Sequence, residues 1–304
     1  MPGLSLIVNP AAGGGRAVRL VPLATAALDA AGADYQVTES ASLAHAAELA
    51  VEAAAAGRVI VAVGGDGMAG ALAGPAARHR ATYGIVPAGR GNDLARVLGI
   101  PFDPAAAASL IATGCTRQID LIGASVPGQD EVIVAGSVYA GVPSVAGEIA
   151  NGTRWLRGPA VYTVAALRAV ARWQPAAFGL RCPGGTHDFA GYAVVVANSA
   201  FFGAGMKVAP SADIADGQLD LVLMRHGPKL SFVRALTKIK DGSHVALDQV
   251  SVQRDTEVTI TIDRDLPVAA DGETITFAAP LPAGTPLRIR ALPGALTVIV
   301  PPAG

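Results

Sequence analysis

Three glycine-rich turns near the start of the chain constrain its fold more than any other feature. Each turn directly follows a short apolar run. The runs are Leu4–Val8, Arg58–Val63 and Tyr83–Val86, and the turns are residues 9–15, 64–67 and 87–93. Short apolar runs that end at glycine or Asn-Pro are typical of buried strands. The pattern therefore predicts strands that end in tight turns.

Helical segments separate these strands. The predicted helices are Ala17–Ala31, Leu43–Ala56, a small-residue segment after Gly67 and Asn92–Leu98, and a further short strand is predicted at Tyr35–Thr38. Strands that alternate with helices form a parallel sheet covered by helices. We therefore predict a Rossmann-like, three-layer α/β domain. Ligands of such domains bind at the carboxyl ends of the strands, which is where the three turns would lie.

From about Ile119 the pattern changes to short β-rich runs separated by Pro and Gly. The predicted strands are Glu131–Val138, Gly191–Asn198, Gln218–Met224, Val250–Val252, Glu257–Ile262, Thr274–Phe277, Pro286–Arg290 and Ala295–Val300, and two helical segments interrupt them, Gly158–Trp173 and Pro228–Asp241. This pattern is typical of an antiparallel β-sandwich or barrel. We predict an α/β domain over residues 1–122 and a β-rich domain over 123–290.

Composition limits the partners that electrostatics alone would suggest. The 304 residues suffice for two domains with their own cores, and 23 Lys and Arg against 24 Asp and Glu create no strong overall field that favours nucleic acid or an anionic membrane. Cys115 and Cys182 lie far apart without metal-ligand spacing, so a reducing cytoplasm is expected. No window offers about 18 unbroken apolar residues. Any chemistry on a lipid would therefore be done from outside the bilayer.

The turn Gly64–Gly67 carries an informative carboxylate, Asp66. Glycines let backbone N–H groups approach an anion, and a helix that starts there adds a favourable dipole. A carboxylate that faces phosphate needs a divalent cation between them, so Asp66 indicates Mg²⁺. The alternative is a tight turn in which the aspartate caps the helix.

The other two turns extend this interpretation. The turn after Tyr83–Val86 places Arg90, Asn92 and Asp93 at a helix start, and turns on consecutive strands would converge at one sheet edge. The Asn9–Gly15 loop is a further candidate phosphate cradle, although it lacks the Gly-Lys-Ser/Thr ending of a Walker A loop. Capping is the alternative here too.

Two acidic segments lie in the second half of the chain. Asp213 and Asp216 are three residues apart in a turn, and can share one cation with a backbone carbonyl or simply form Asx turns. Asp271-Gly272-Glu273 lies between two strand runs. Phosphoryl transfer to a hydroxyl needs a carboxylate that takes the proton of the alcohol.

The ordered set of motifs resembles the catalytic domain of the diacylglycerol-kinase and sphingosine-kinase-like lipid kinases, within a superfamily that includes NAD kinases. The landmarks run in family order across nearly the whole chain: Asn9-Pro10 with its glycine loop, Gly64–Gly67, Pro87–Arg96, Ile119-Asp120, Ala197-Asn198, Gly203–Met206, Ala209-Pro210, Asp216–Asp220 and Asp271–Glu273. The bacterial soluble members are the most similar.

The resemblance implies a lipid kinase that uses ATP and Mg²⁺, with its nucleotide in a cleft between the domains. The residues implied to contact ATP are Asn9, Gly13, Thr38, Gly64, Gly65, Asp66 and Gly67. The residues implied to hold catalytic Mg²⁺, partly through water, are Asp66, Asp93 and Asp120. Asp213, Asp216 and the carbonyl of Gln218 would hold a structural Mg²⁺, and Glu273 would be the general base. The last strand, 291–304, would return to the first domain.

Two of the motifs depart from the family pattern. Met68 stands where the family usually has Thr after GGDG, with Gly70 in place of Asn, and Arg90 replaces the Thr of the Gly-Thr-x-Asn-Asp turn. Met68 removes a hydroxyl that could bind phosphate, whereas Arg90 supplies a cation able to do so. All the carboxylates are kept, so the chain is expected to be active.

The acceptor is less well specified than the donor. The leading expectation is a diacylglycerol-like alcohol met at the membrane surface by a cytoplasmic enzyme, and the alternatives are a sphingoid or nucleotide acceptor, or a non-catalytic nucleotide- or lipid-binding regulator. The stretch Trp155–Trp173 has aromatic and basic residues that suit an interface helix or core packing. Phe201 and Phe202 could line an acyl pocket. A homodimer is expected by analogy with the family.

Overall fold

The computed structural model describes residues 2–152, 160–271, 273–274 and 280–302. The chain divides into two units. Unit 1 contains the residues up to Leu121, the segment Gly203–Gly205 and the chain from Pro293 onward; unit 2 contains Ile122–Phe202 and Met206–Leu292. The assignment of nucleotide binding to residues 1–122 and of lipid binding to 123–290 stays a prediction.

In unit 1, strands and helices alternate along the chain. The elements are β1 Leu4–Val8, α1 Arg16–Ala30, β2 Tyr35–Glu39, α2 Leu43–Ala55, β3 Val59–Gly64, α3 Asp66–Arg78, β4 Thr82–Pro87, α4 Asp93–Val97 and α5 Pro104–Thr113. The strands β1 to β4 pair in parallel: β1 lies between β2 and β3, and β4 pairs with β3. The final strand of the chain pairs with β4 in parallel through Thr297 and Val298. The predicted α/β architecture is confirmed.

The central strands of unit 1 are buried on both faces. Every residue of β1 and of β3 is buried, as expected for parallel strands covered by helices on each side. Tyr83 on β4 is fully buried, and its hydroxyl donates a 2.8 Å hydrogen bond to the carbonyl of Ala69. Burial raises the pKa of Tyr83 far above its ordinary value. This bond ties α3 to β4.

Unit 2 is mostly antiparallel. Its elements are β5 Cys115–Ser125, which begins in unit 1, β6 Val132–Val134, β7 Ser137–Gly141, α6 Val142–Gly152, α7 Ala160–Arg172, β8 Ala176–Cys182, β9 Gly185–Ala197, β10 Phe201–Phe202, β11 Met206–Lys207, β12 Leu219–Arg225, α8 Lys229–Lys238, a 3₁₀ turn Ser243–Ala246, β13 Val250–Asp255, β14 Glu257–Ile262, β15 Val268–Ala270, β16 Glu273–Thr274 and β17 Leu287–Val300.

The long strand β9 organises unit 2. Its first half pairs with β8, and its second half lies between β7 and β12. Strand β12 also pairs with β13, while β14 pairs with both β8 and β17. Apolar side chains of these strands form one core with Val170 of α7, with Trp173 just after α7 and with Phe232 of α8. The predicted antiparallel β-sandwich is confirmed.

Several local predictions differ from the structure. Helices α5 and α6 and strand β8 were not predicted, and β17 is one strand where two, Pro286–Arg290 and Ala295–Val300, were predicted. Helix α5 has a recognisable start, because Asp103 caps it by accepting the N–H of Ala106 and Pro104 follows. Residues 275–277 of the predicted strand Thr274–Phe277, and 158–159 of the predicted helix Gly158–Trp173, lie outside the described residues.

The core of unit 2 yields a stability prediction. Phe178 is 1% exposed, and its ring stacks on that of Phe189 with centroids 5.1 Å apart. We expect Phe178→Ala to lower the free energy of unfolding by about 3–5 kcal/mol, because it leaves a cavity that the strands cannot fill. Chemical denaturation measures this change. The matched control Phe102→Ala, at an exposed ring, should cost less than about 1 kcal/mol; equal losses would contradict the prediction.

Candidate active site

The three glycine-rich turns of unit 1 meet at the carboxyl ends of β1, β3 and β4. The N–H of Asn9 donates to the carbonyl of Val63 at 3.2 Å, and the N–H of Ala88 donates to the carbonyl of Gly64 at 2.7 Å. A Cβ added at Gly13 would lie 2.6 Å from the carbonyl oxygen of Ala88. The turn after β4 therefore contacts both of the others.

Two of these turns touch through bare backbone. A Cβ added at Gly65 would lie 2.9 Å from the Cα of Gly89, and one added at Gly89 would collide with the Cα of Gly65. Side chains at these positions would push the turns apart, since real Cβ atoms do not approach so closely. Neither residue has a positive φ, so backbone conformation does not require glycine at these positions. The close contact between the two turns does.

Asp66 ties two turns together. It is the first residue of α3, and its carboxylate accepts the N–H of Asn92 at 2.8 Å and the N–H of Asp93 at 2.5 Å. These N–H groups lie at the start of α4, where a negative charge is favourable. Asp66 thus caps α4 although it belongs to a different helix, α3.

Asp93 likewise accepts hydrogen bonds from two backbone N–H groups of a distant segment. Its carboxylate accepts the N–H of Ala204 at 2.9 Å and the N–H of Gly205 at 2.7 Å. Burial raises the pKa of Asp93 above its ordinary value, and the nearby charge of Asp66 raises it further. Asp66 and Asp93 are neighbours in the structure, because the N–H of Asp93 donates to the carboxylate of Asp66.

A divalent cation fits this pair of carboxylates. Carboxylate oxygens are the ligands that Mg²⁺ prefers, and a cation would offset the repulsion between the two charges. Asp120, the third predicted ligand, is 3% exposed and accepts the N–H of Gly294 at 2.7 Å. Within the described ranges, no group of three or more His, Cys, Asp and Glu side chains is placed to hold a metal ion. Ligation by Asp120, which was expected to act partly through water, stays a prediction.

The remaining predicted nucleotide contacts occupy the same end of unit 1. The side chain of Asn9 accepts the N–H of Ala11 at 3.0 Å, and Gly13, Gly14 and Gly15 follow with φ of 60°, 70° and 84°. Thr38 is half-buried on β2, paired with Ile7 of β1. Three successive left-handed glycines leave the backbone of this loop uncovered by side chains.

Met68 and Arg90, which depart from the family pattern, lie in different environments. Met68 is 1% exposed and packs against Gly64, so it belongs to the core of unit 1. Arg90 is exposed at the tip of the turn after β4. Its guanidinium makes no ion pair with any residue in the part of the chain that the structure describes.

The acidic turn of unit 2 forms Asx turns around an arginine. Asp213 accepts the N–H of Ala215 at 3.1 Å, and Asp216 accepts the N–H of Gln218 at 2.9 Å. The guanidinium of Arg254 lies 3.7 Å from Asp216 and 3.5 Å from the buried Asp220. Arg254, which holds this turn, was missed by the sequence reasoning, because it comes from the neighbouring strand β13.

Asp271 anchors the segment that carries Glu273. Its carboxylate accepts the N–H groups of Ala135, Gly136 and Ser137 at 3.0, 3.0 and 2.8 Å. Asp271 has φ of 47°, a left-handed conformation that aspartate tolerates better than most residues. Strand β16 begins at Glu273, which pairs with Ala270. Asp271 is therefore fixed to the start of β7.

The predicted acceptor residues have mixed placements. Trp173 is 8% exposed and donates its indole N–H to the carbonyl of Gly191 at 3.0 Å, so at this residue core packing is the correct interpretation. Trp155 lies outside the described residues. Phe202 packs edge-on against Tyr139 with ring centroids 4.8 Å apart. Both Phe201 and Phe202 are half-buried.

The α/β unit with its paired carboxylates and the antiparallel sandwich each match a known domain of kinases. Residues 3–124 match the family model described as the diacylglycerol kinase catalytic domain, and residues 136–300 match the YegS C-terminal NAD kinase beta sandwich-like domain. The chain belongs to the diacylglycerol kinase family of lipid kinases.

Curated relatives agree with this placement. A diacylglycerol kinase of Mycobacterium tuberculosis is 32% identical over 301 residues, which cover 98% of this chain and 95% of the relative. A YegS-like lipid kinase of Pseudomonas fluorescens is 32% identical over 285 residues, which cover 92% and 90%. The chain is therefore similar to kinases along nearly its whole length.

Solved structures share the fold. A diacylglycerol kinase from Bacillus anthracis str. Sterne superposes with a TM-score of 0.69 at 20% identity, covering 99% of this chain and 97% of that one. Another chain from the same organism gives a TM-score of 0.75 at 22% identity. In the described part of this chain, no helix is both long and apolar enough to cross a bilayer.

The contact between turns yields a second prediction. We expect Gly89→Ala to lower the free energy of unfolding by about 1–3 kcal/mol, because the new methyl group overlaps the backbone of Gly65. Thermal and chemical denaturation measure the loss. The matched control is Gly147→Ala on α6, where nothing lies within 4 Å of the added Cβ and stability should hold or rise. A stable Gly89→Ala protein would contradict the packing described here.

The pair of carboxylates yields a third prediction. The pKa of Asp93 should fall in Asp66→Asn, because a neighbouring negative charge is removed while burial remains. When the pKa of Asp93 is higher in the folded state than in the unfolded state, the folded protein binds more protons. The free energy of unfolding therefore falls as pH rises through the range just above the ordinary aspartate pKa. That fall should be shallower in the variant.

Carboxyl-carbon NMR titration of Asp93, with denaturation at several pH values, measures both effects. Asp188→Asn, a matched change at an exposed carboxylate in unit 2, should leave the pKa of Asp93 unchanged. An unchanged pKa in Asp66→Asn would show that the two carboxylates do not interact.

Proposed function

We propose that this protein is a kinase that uses ATP and Mg²⁺ to phosphorylate the hydroxyl of diacylglycerol or a similar lipid. The observation that carries the proposal is the meeting of three glycine-rich turns beside Asp66 and Asp93, in a member of a lipid-kinase family. Such turns offer backbone N–H groups to phosphate, and carboxylates offer oxygens to a cation.

The turns are suited to hold the phosphates of ATP. The glycines of the first turn carry no side chain over their left-handed backbone, and concave backbone of this kind binds anions, although the N–H of Gly14 itself donates to the carbonyl of Ala11 at 3.1 Å. In this proposal the nucleotide contacts are Asn9, Gly13, Thr38 and Gly64–Gly67. Arg90, exposed at the neighbouring turn, adds a guanidinium in place of the family's threonine and neutralises part of the triphosphate charge.

Asp66 and Asp93 would hold the catalytic Mg²⁺, with Asp120 as a further ligand through water. When bound, Mg²⁺ neutralises charge on the phosphates during transfer. The hydrogen bonds of each carboxylate with two N–H groups orient it and leave lone pairs for a cation. A second, structural Mg²⁺ at Asp213, Asp216 and the carbonyl of Gln218 stays a prediction, and Arg254, 3.7 Å from Asp216, would share the charge of that site.

Glu273 would act as the general base. Its carboxylate takes the proton of the lipid hydroxyl as the hydroxyl oxygen bonds to the γ-phosphorus. The bond from that phosphorus to the bridging oxygen of ADP breaks, so a phosphorylated lipid and ADP leave. Asp271, two residues before Glu273, would position this base, because its carboxylate is held by three hydrogen bonds.

Diacylglycerol is the proposed acceptor because relatives that match nearly the whole chain are named diacylglycerol kinases. The enzyme would meet this acceptor at the membrane surface. A homodimer is a separate expectation, which light scattering by the purified protein can test. Sphingoid bases and NAD are the alternative acceptors. An assay that offers each of these acceptors in turn with ATP identifies the substrate.

The general base yields a fourth prediction. We expect Glu273→Gln to lower kcat by about 10²–10⁴-fold with little change in KM for ATP, because the amide cannot accept the proton. Transfer of labelled γ-phosphate to short-chain diacylglycerol measures this, with Mg²⁺ or with EDTA. Glu52→Gln, at an exposed site on α2, is the matched control and should keep full activity.

Three outcomes would contradict parts of the proposal. An unchanged kcat in Glu273→Gln would exclude this residue as the base. Equal activity in EDTA would exclude the requirement for Mg²⁺. No transfer to any alcohol by the wild-type protein would favour the non-catalytic regulator.

A further inference from the structure

Positive charge is unevenly distributed in this nearly neutral chain. All four lysines, Lys207, Lys229, Lys238 and Lys240, lie between residues 207 and 240. No Asp or Glu occurs between Glu148 and Asp188, nor between Asp220 and Asp241, yet each of these two stretches carries five Lys or Arg residues. The stretches contain helices α7 and α8 of unit 2. The overall charge balance thus conceals a basic region.

Helix α8 is amphipathic, with cations and one leucine on its exposed side. Phe232 and Ala235 are buried, whereas Lys229, Leu230, Arg234 and Lys238 are exposed. Leu230 is 63% exposed, the highest value among the large apolar side chains of the described residues. Positions 230, 234 and 238 are four residues apart, so they share one face of the helix.

Helix α7 presents a similar face. Leu167 is 49% exposed, and Arg168 and Arg172 are exposed beside it. The ammonium of Lys229 donates to the carbonyl of Ala171 at 2.6 Å, which joins the end of α7 to the start of α8. The two exposed leucines and their flanking cations therefore belong to neighbouring helices.

The inner sides of both helices are fixed to the core of unit 2. Val170 and Phe232 belong to that core, and the ring of Tyr192 stacks on Phe232 with centroids 4.5 Å apart. The hydroxyl of Tyr192 donates to the carbonyl of Gly227 at 2.7 Å, which holds the loop before α8. The exposed leucines are thus not needed to attach the helices.

We propose that this surface, Leu167, Arg168, Arg172, Lys229, Leu230, Arg234 and Lys238, docks unit 2 on an anionic phospholipid bilayer. The inference rests on the proposed function, because a diacylglycerol substrate lies in a bilayer. Lysine and arginine are attracted to anionic headgroups, and leucine inserts at the level of the acyl boundary. A second copy of the same face would repel it, and nucleic acid would leave the leucines without an apolar partner.

Vesicle sedimentation without ATP tests the charges. Vesicles of phosphatidylcholine with phosphatidylglycerol should bind the wild-type protein, vesicles of phosphatidylcholine alone should bind it much less, and salt should weaken the binding. The triple variant Lys229→Gln, Arg234→Gln, Lys238→Gln should bind on the order of 100-fold more weakly. The matched triple variant Arg78→Gln, Arg80→Gln, Arg117→Gln makes the same charge change on exposed residues of unit 1 and should bind nearly as wild type.

The apolar contribution has its own pair of variants. Leu230→Ser should weaken vesicle binding several-fold, because it removes an inserted side chain. Leu23→Ser, at the 52% exposed leucine of α1, is the matched control and should not weaken it. Both leucines are exposed, so neither change should disturb folding.

Failure of this proposal is separable from failure of the kinase assignment. Turnover of a water-soluble short-chain diacylglycerol should be unchanged in the Lys229, Arg234, Lys238 variant. Equal binding to both kinds of vesicle, or equal loss in the two triple variants, would overturn the docking surface while leaving the kinase intact. An effect of the α8 variant on the binding of duplex DNA or on oligomeric state, without an effect on vesicles, would assign the surface to those partners instead.

Discussion

Two aspartates that accept backbone N–H groups hold the glycine-rich turns of unit 1 in place. Asp66 binds the N–H groups of Asn92 and Asp93, and Asp93 in turn binds the N–H groups of Ala204 and Gly205. Hydrogen bonds to ionised acceptors are stronger than neutral ones. A segment more than a hundred residues away in sequence is thereby joined to the turns of β3 and β4. A cation bound by these aspartates would therefore be coupled to the positions of three backbone segments.

Much of unit 1 could be predicted from sequence because its signals are local. The strand Leu4–Val8 was predicted with the bounds that the structure has, and the turn Gly64–Gly67 follows a buried strand as expected. The contact between Gly65 and Gly89 was not predicted in detail, but parallel strands must end at the same sheet edge. Local apolar runs and glycine positions therefore sufficed to predict these strands and the turns that follow them.

The rest required contacts that a single sequence does not display. Arg254 approaches Asp216 only because β13 pairs with β12, and Asp271 reaches Gly136 only because β15 pairs with β7. Strand β17 continues through Gly294, whose N–H bonds to Asp120, although Pro-Gly ordinarily predicts a break. The roles of Asp120, Asp213, Asp216, Gln218 and Glu273 remain predictions, because they concern ligands and proton transfer rather than packing.

The confinement of every lysine to residues 207–240 has a practical consequence. Reagents that couple to primary amines can attach only there and at the chain's amino terminus. A support prepared by such coupling would hold most molecules by one stretch of unit 2 and leave the aspartates of unit 1 unmodified. A protease specific for lysine would likewise cut nowhere before Lys207, so the whole α/β portion up to Leu121 would be released in one uncut piece with the first half of unit 2.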